Sequence, residues 1–260
     1  MSDIRITYVT ITYNAAQVLQ RTLDSVLQQD YPNIEHLIID GASTDDTLKL
    51  ADAYIAHSNA AGNTHQIQVI SEPDKGIYDA MNKGLRSMTG DYVCFLNAGD
   101  FLPASDTASR IAQQVAASRN HPAVLYGDTD IVDGEGHFLH HRRLAPPEHL
   151  TWKSFRQGML VCHQAFYARA DFAIATPYDM QYRYSADVDW CIRVMKAAAQ
   201  EEVPLLNLHM VVANYTQEGQ TTLHHRESLM ERYRVMEHHY GRVQTFLLHC
   251  WFAFRAILKH

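Results

Sequence analysis

The chain has 260 residues, of which 47% are hydrophobic and 20% charged, with a formal net charge of -7. That length and apolar content can build a full core within one elaborated domain, and the acidic balance excludes the basic footprint of a nucleic-acid binder. Cys94, Cys162, Cys191 and Cys250 are widely spaced with no CxxC pair, which argues against a zinc site or disulfide framework and for a reducing compartment. The opening Met1-Ser2-Asp3-Ile4-Arg5 lacks signal-peptide architecture and no stretch is apolar enough to span a bilayer, so the expected location is cytoplasmic.

Residues 4–12 are rich in β-branched side chains and Tyr and read as a first, doubly buried strand. Asn14 can cap a helix carrying Val18, Leu19, Leu23, Val26 and Leu27 at helical spacing. Residues 34–39 form a second strand stopping at Asp40, and Ser43 or Thr44 can cap a helix over 47–55. A short strand over 67–70, a helix over 77–88, a strand over 92–96 and a helix over 105–118 continue the alternation. Such alternation predicts a Rossmann-like, mainly parallel α/β sheet flanked by helices, with Asp40, Asp74 and Asp100 along the edge of strand C-termini.

After residue 120 the rhythm changes. Residues 124–128 and 138–143 read as strands around Gly134-Glu135-Gly136, an apolar run over 158–168 is broken by His163-Gln164, a helix covers 186–199, and a strand lies near 205–212. The second half thus reads as a substrate-shaping elaboration on the same sheet rather than an independent domain. The expected organisation is a single unit over 1–240, in two halves (1–120 and 121–240), followed by an amphipathic helix over 241–260.

Two segments carry the chemistry. Ser71-Glu72-Pro73-Asp74-Lys75-Gly76-Ile77-Tyr78-Asp79 sets charged and aromatic groups around a glycine before a helix, and Phe95-Leu96-Asn97-Ala98-Gly99-Asp100 is an apolar run ending in polar residues. An acidic group ending a buried strand lies where open α/β sheets present ligands, and a hard oxygen ligand there suits Mg²⁺ or Mn²⁺ on substrate phosphates. Together they point to an enzyme handling a nucleotide-linked substrate.

The chain resembles the inverting nucleotide-sugar glycosyltransferases of family 2, with the GT-A fold. Four segments in order carry the likeness: Thr10-Ile11-Thr12-Tyr13-Asn14, Ile39-Asp40-Gly41-Ala42-Ser43-Thr44-Asp45, Asp74-Lys75-Gly76-Ile77-Tyr78-Asp79-Ala80-Met81-Asn82-Lys83-Gly84, and Asn97-Ala98-Gly99-Asp100. The third is most similar to the branch of colanic-acid-type, exopolysaccharide and O-antigen transferases. The resemblance implies a nucleotide-sugar donor, with UDP as the nucleotide, a glycan or lipid-linked acceptor, and Mg²⁺ or Mn²⁺.

By that resemblance Thr12, Tyr13, Asp40, Lys75, Asp79, Asn82 and Asn97 border the donor. Tyr13 would pack on a flat pyrimidine or serve as a core aromatic. Asp40 would accept from a base imide N–H or organise a turn. Lys75 would neutralise the diphosphate, with Gly76 allowing close approach, while Lys83 reads as a solvated surface charge. Asp79 and Asn82 share a helix face and would either support the donor sugar or supply surface polarity. Asp100 is the implied metal carboxylate, although Gly99 stands where a second acid is often found.

Ser185-Ala186-Asp187-Val188-Asp189-Trp190 is similar to the family's acidic helix start, with Ala186 replacing its first acid. This implies Asp187 as the general base that takes the acceptor's proton. Asp189 reads as a partner of Arg193 or a helix cap. His163 and Gln164 are implied on the acceptor side, or form a polar break between strands. His224-His225 follows Gly219-Gln220-Thr221-Thr222 and supplies either a third metal ligand or a solvated pair.

At helical spacing Val243, Phe246, Leu247, Cys250, Trp251, Phe254, Ile257 and Leu258 fall on one face of a terminal helix, opposite Gln244, Thr245, His249, Arg255 and Lys259. That pattern predicts either peripheral contact with the inner face of a membrane or docking on the domain or in a homodimer. Two rival functions remain open. A sugar-phosphate nucleotidyltransferase would need a glycine-rich basic loop where Tyr13-Asn14-Ala15-Ala16 stands, whereas Gly99 and Ala186 leave room for a catalytically silent nucleotide-sugar-binding subunit.

Overall fold

In the computed structural model, residues 4–118, 120–217 and 225–257 are described. The alternating first half forms β1 (Ile6–Thr12), α1 (Ala16–Leu27), β2 (Ile34–Asp40), α2 (Thr47–Ala60), β3 (Gln66–Ser71), α3 (Ile77–Ser87), β4 (Tyr92–Phe95) and α4 (Thr107–Ala117). The second half adds β5 (Val124–Val132), β6 (Phe138–His141), 3-10 turns at Trp152–Gln157 and His163–Ala165, β7 (Phe166–Arg169), α5 (Ala170–Ala175), α6 (Ala186–Gln200), β8 (Leu205–Thr216), α7 (His225–Tyr240) and α8 (Arg242–Ile257). Among the described residues no helix is long and apolar enough to cross a membrane.

One eight-stranded sheet runs β3-β2-β1-β4-β7-β5-β6, with β8 paired along β5. β1, β2, β3 and β4 are mutually parallel, as is β5 with β8. β7 is antiparallel to both neighbours and joins the halves through Val93↔Ala168 and Val124↔Ala168. Every residue of β1 and β2 is buried, as expected for parallel strands covered on both faces. The sheet is therefore mixed but mainly parallel, an α/β architecture of the expected GT-A-like kind.

The start of α1 differs from expectation. Asn14 lies at φ 48° and does not cap its own helix; the helix begins at Ala16, flanked by Ala15, with no side-chain cap. The loop after β2 satisfies the exposed N–H groups instead. Asn14 N donates to Ser43 Oγ (2.8 Å), Ala15 N to Thr47 Oγ1 (2.8 Å) and Ala16 N to Asp45 Oδ2 (3.1 Å). An anionic Asp45 at that end also complements the helix dipole. Ser43 and Thr44 likewise do not cap α2, whose first flanking residue is Asp46 with no side-chain capping bond.

Candidate active site

The parallel strands end together, so the loops after β1, β2, β3 and β4 share one edge of the sheet. Tyr13 leaves β1 with 67% of its surface exposed, which gives it a free ring face. Thr12 is buried and donates to Asp40 Oδ1 at 3.0 Å.

Asp40 is fully buried. Its Oδ1 accepts from Thr12 and Ser43 hydroxyls, and Oδ2 accepts from Ser43 N at 2.9 Å and Ser71 Oγ at 2.6 Å. These hydroxyl and backbone bonds outweigh burial and hold its pKa below the usual carboxylate range. Four donors saturate the carboxylate, so Asp40 ties β1, β2 and β3 together and offers no free lone pair to a base. Gly41 leaves this hub because a Cβ there would sit 2.5 Å from Asp74 Oδ2 and 3.3 Å from the Tyr13 ring.

The loop into α3 is ordered from within. Gly76 N donates to Asp74 Oδ1 (2.8 Å), Lys75 N donates to Asp79 Oδ2 (3.0 Å), and Gly76 takes φ 112°, which favours glycine. Asp79 thus uses one oxygen to shape the loop, while the Lys75 side chain is exposed beside Tyr13's edge of the sheet. Lys83 is not a solvated charge. Its side chain is only 11% exposed, and Nζ meets Glu72 Oε1 at 3.0 Å and Pro73 O at 2.8 Å.

Asn82 does not face a sugar. It is buried, donating Nδ2 to Tyr178 O (2.9 Å) and accepting from Tyr178 N (2.7 Å), so it pins α3 to the segment before α6.

Three distant segments meet at Asp187, in the first turn of α6. Tyr78 OH donates to Asp187 Oδ1 at 3.2 Å, and His163 Nδ1 lies 3.3 Å from Asp187 Oδ2. His163 Nε2 is 3.1 Å from Asn97 Nδ2, so one ring nitrogen faces this amide and the other faces the carboxylate. Burial raises the Asp187 pKa, but the hydrogen bond and charge of His163, aided by Arg232, bring it net below the ordinary value. Burial and the Asp187 charge push the Tyr78 phenol well up, so it stays a donor.

Asp187 remains partly open, with 16% of its side chain exposed. Behind it Tyr78, Tyr178 and Trp190 stack at 5.6 and 4.9 Å, and Phe95 meets the last two edge-on. Asn97 Oδ1 is buried with no hydrogen-bond partner among the described residues.

The other residues of these segments hold structure. Asp189 is buried and paired with Arg193 Nε (2.6 Å) and His239 Nε2 (2.7 Å); Arg193 also donates to Pro177 O. Gln164 is buried, donating to Asp100 Oδ2 at 2.7 Å, while Thr216 N donates to Asp100 Oδ1 at 3.0 Å. Burial pushes the Asp100 carboxyl up to about 6, against those two bonds and the pull of His163.

The described side chains do not by themselves build a shell for the expected divalent ion: Gly99 has no side chain to offer, and among the described residues no three His, Cys, Asp or Glu groups gather. Each Asp100 oxygen accepts one bond inside the protein, so Asp100 is a strut between the β4 loop, the 3-10 turn at Gln164 and β8. His224 lies outside the described residues.

Sequence reasoning gave no role to Tyr78, Tyr178 or Glu231. Tyr78 could have been flagged by its place inside the charged donor loop. Glu231, accepting from the backbone N–H groups of Arg183, Tyr184 and Ser185, is nearly fifty residues from its partners and left no local signal.

A mainly parallel sheet with an aromatic, a lysine and a carboxylate gathered at its strand ends is the architecture of a GT-A-like transferase. The chain belongs to glycosyl transferase family 2, whose family model matches residues 7–174. It is 33% identical over 210 residues to a Mycobacterium tuberculosis PGL/p-HBAD biosynthesis glycosyltransferase, covering 80% of this chain and 75% of that one. It is 28% identical to the amylovoran biosynthesis glycosyltransferase AmsB of Erwinia amylovora, covering 81% and 71%.

Among solved structures, S. aureus TarS 1-349 in complex with UDP-GlcNAc superposes with TM-score 0.68 at 17% identity over 90% of this chain. The mannosyltransferase PcManGT from Pyrobaculum calidifontis, solved with GDP-Man and Mn²⁺, gives TM-score 0.60 at 18% identity over 94%. The chain spans only 65% and 63% of those two solved chains.

Proposed function

We propose that the protein is an inverting glycosyltransferase that moves a sugar from a nucleoside diphosphate donor, UDP as the nucleotide, to a glycan or lipid-linked acceptor of a cell-surface polysaccharide. The carrying observation is Asp187, an ionised and partly open carboxylate oriented by His163 on one oxygen and Tyr78 on the other. Tyr78 sits two residues beyond Gly76, so the residue that bonds the base lies in the first turn of the helix that follows this loop.

In the reaction the acceptor hydroxyl oxygen bonds to the anomeric carbon as the bond to the diphosphate oxygen breaks. The electron pair leaves with the nucleoside diphosphate, and the hydroxyl proton passes to Asp187. Attack opposite the leaving group inverts the anomeric centre. His163 holds the carboxylate and keeps it ionised, and the stacked aromatics behind it limit its movement. Tyr13 would stack on the base, Lys75 would meet the diphosphate, and Asn97 Oδ1 would accept from a sugar hydroxyl that gives this buried atom a partner.

The relatives' names support a cell-surface glycan as product, and the UDP-GlcNAc bound to TarS supports a UDP-sugar donor. Mn²⁺ accompanies GDP-Man in PcManGT. Among the described residues no three side chains gather to hold such an ion, and Lys75 is the chain's own cation assigned to the leaving diphosphate. In this reading residues 1–120 hold the donor and 121–240 face the acceptor.

The test is a panel of UDP- and GDP-sugars offered to the full chain, with donor binding read by calorimetry and turnover by nucleoside diphosphate release. Asp187→Asn should bind donor like the wild type and lose about 10²- to 10⁴-fold in turnover. A folded Asp187→Asn protein with unchanged turnover removes Asp187 as the base. Donor binding with no transfer to any acceptor, in wild type and variant alike, favours the silent binding subunit, for which Ala186 and Gly99 speak.

A further inference from the structure

We infer that the α7–α8 hairpin is a docking surface for an anionic lipid bilayer. The inference is independent of the transfer chemistry. Along α8, Val243, Phe246, Leu247 and Trp251 are 76%, 60%, 61% and 55% exposed, with Cys250 exposed beside them. The face turned toward the protein carries Thr245, which is buried, and His249, whose ring lies 4.8 Å from Tyr233. A helix that serves only to cover its own domain turns such apolar groups inward. This one is seated partly through polar groups and leaves an aromatic and aliphatic stripe outward. In the sequence the same spacing continues through Phe254 and Ile257.

The hairpin that carries α8 is fixed. Tyr240 stacks on Trp152 at 5.7 Å and donates to its carbonyl at 2.6 Å, while His239 meets Asp189 at 2.7 Å. The apolar stripe therefore projects from a rigid support rather than from a free tail.

Charge identifies the occupant. Residues 225–260 hold six Lys and Arg against three Glu, whereas the preceding 224 residues hold sixteen against twenty-six Asp and Glu. Exposed Arg226 and Arg234 lie two turns apart on α7 with exposed Met230 between them, and exposed Arg242, paired with Glu237, begins α8. A cationic, aromatic-bearing surface on an otherwise acidic protein matches an anionic lipid interface, with the acidic body kept away from it. A second copy docking on this face by two-fold symmetry would bring two such cationic patches together.

Vesicle flotation of the full chain tests this, comparing phosphatidylcholine alone with about three parts phosphatidylcholine to one part phosphatidylglycerol. Wild type should float with the anionic vesicles, less at high salt, and stay behind with neutral ones. Phe246→Ser with Leu247→Ser should abolish flotation, and Arg234→Gln should cut partitioning about fivefold. Both variants should keep the wild-type melting temperature, because these positions are exposed. Wild type that ignores anionic vesicles overturns the proposal. So does a concentration-dependent dimer in solution that Phe246→Ser dissolves, which would make the stripe an interface between copies.

Discussion

His163 Nδ1 stands 3.3 Å from Asp187 Oδ2, and its other ring nitrogen meets Asn97 at 3.1 Å, so one imidazole links the end of β4 to the start of α6. The contact fixes both the direction and the acidity of the carboxylate. Replacing His163 with Ala should move the acid limb of the kcat/KM profile to higher pH, because the strongest influence lowering the Asp187 pKa is gone and only Arg232 and the Val188 N–H remain against burial. Donor affinity should change little. A pH–rate profile with an unmoved acid limb would mean that His163 serves packing alone.

Asp100 acts through Gln164 and Thr216. Asp100→Ala leaves the buried Gln164 amide and the half-buried Thr216 N–H unpaired and should cost about 1–3 kcal/mol for the buried one and less for the other. The dependence of donor affinity on Mn²⁺, whatever its size in wild type, should be the same in the variant. Denaturant melts and calorimetry with and without Mn²⁺ measure both. A selective loss of the Mn²⁺ effect would return Asp100 to the metal.

Asn82 makes paired bonds with the Tyr178 backbone, at 2.9 and 2.7 Å. Asn82→Ala should destabilise the fold by about 2 kcal/mol while the folded fraction binds donor normally. Weaker donor binding at unchanged stability would show that Asn82 touches the sugar after all.

His36 is fully buried between Thr10 Oγ1 (2.9 Å) and Tyr54 OH (2.8 Å), and burial, with His65 nearby, lowers its pKa to about 3. The unfolded chain takes up this proton near pH 6.5 and the folded one does not. Stability should therefore fall as pH drops from about 6.5 toward 3, by up to about 1.4 kcal/mol per pH unit from this site. His36→Gln should be less stable at pH 7 but show a shallower slope. Equal slopes in urea titrations at pH 7, 6 and 5 would place the acid sensitivity elsewhere.

The first half was legible because its strands are continuous apolar runs and its helices carry regular spacing. The insertion of β7 between β4 and β5 was not, since residues 166–169 are too short to show direction or neighbour. α7 went unread because its inward face mixes the buried Ser228, Val235, Met236 and Tyr240 with Glu231 and His239, which look like surface residues in sequence. At the site, the polar character of Asp40, Asn82 and Asp100 was plain. Their internal partners were not, because these come from positions up to 116 residues away, as with Thr216 and Asp100. Asn14 misled for a local reason: its φ of 48° removes it from the capping position its side chain suggests.

The single sheet sets how substrates can be admitted. β7 is hydrogen-bonded to β4 on one side and β5 on the other, so there is no seam along which the two halves could hinge apart. Separating Tyr13 and Lys75 from Asp187 and His163 by rigid-body opening would require breaking a strand ladder. In the proposed reaction the spacing between leaving group and base is consequently a property of the scaffold, and entry and exit would be managed by surface loops. A longer or bulkier acceptor would be accommodated by exchanging those loops, with the reacting distance carried over unchanged.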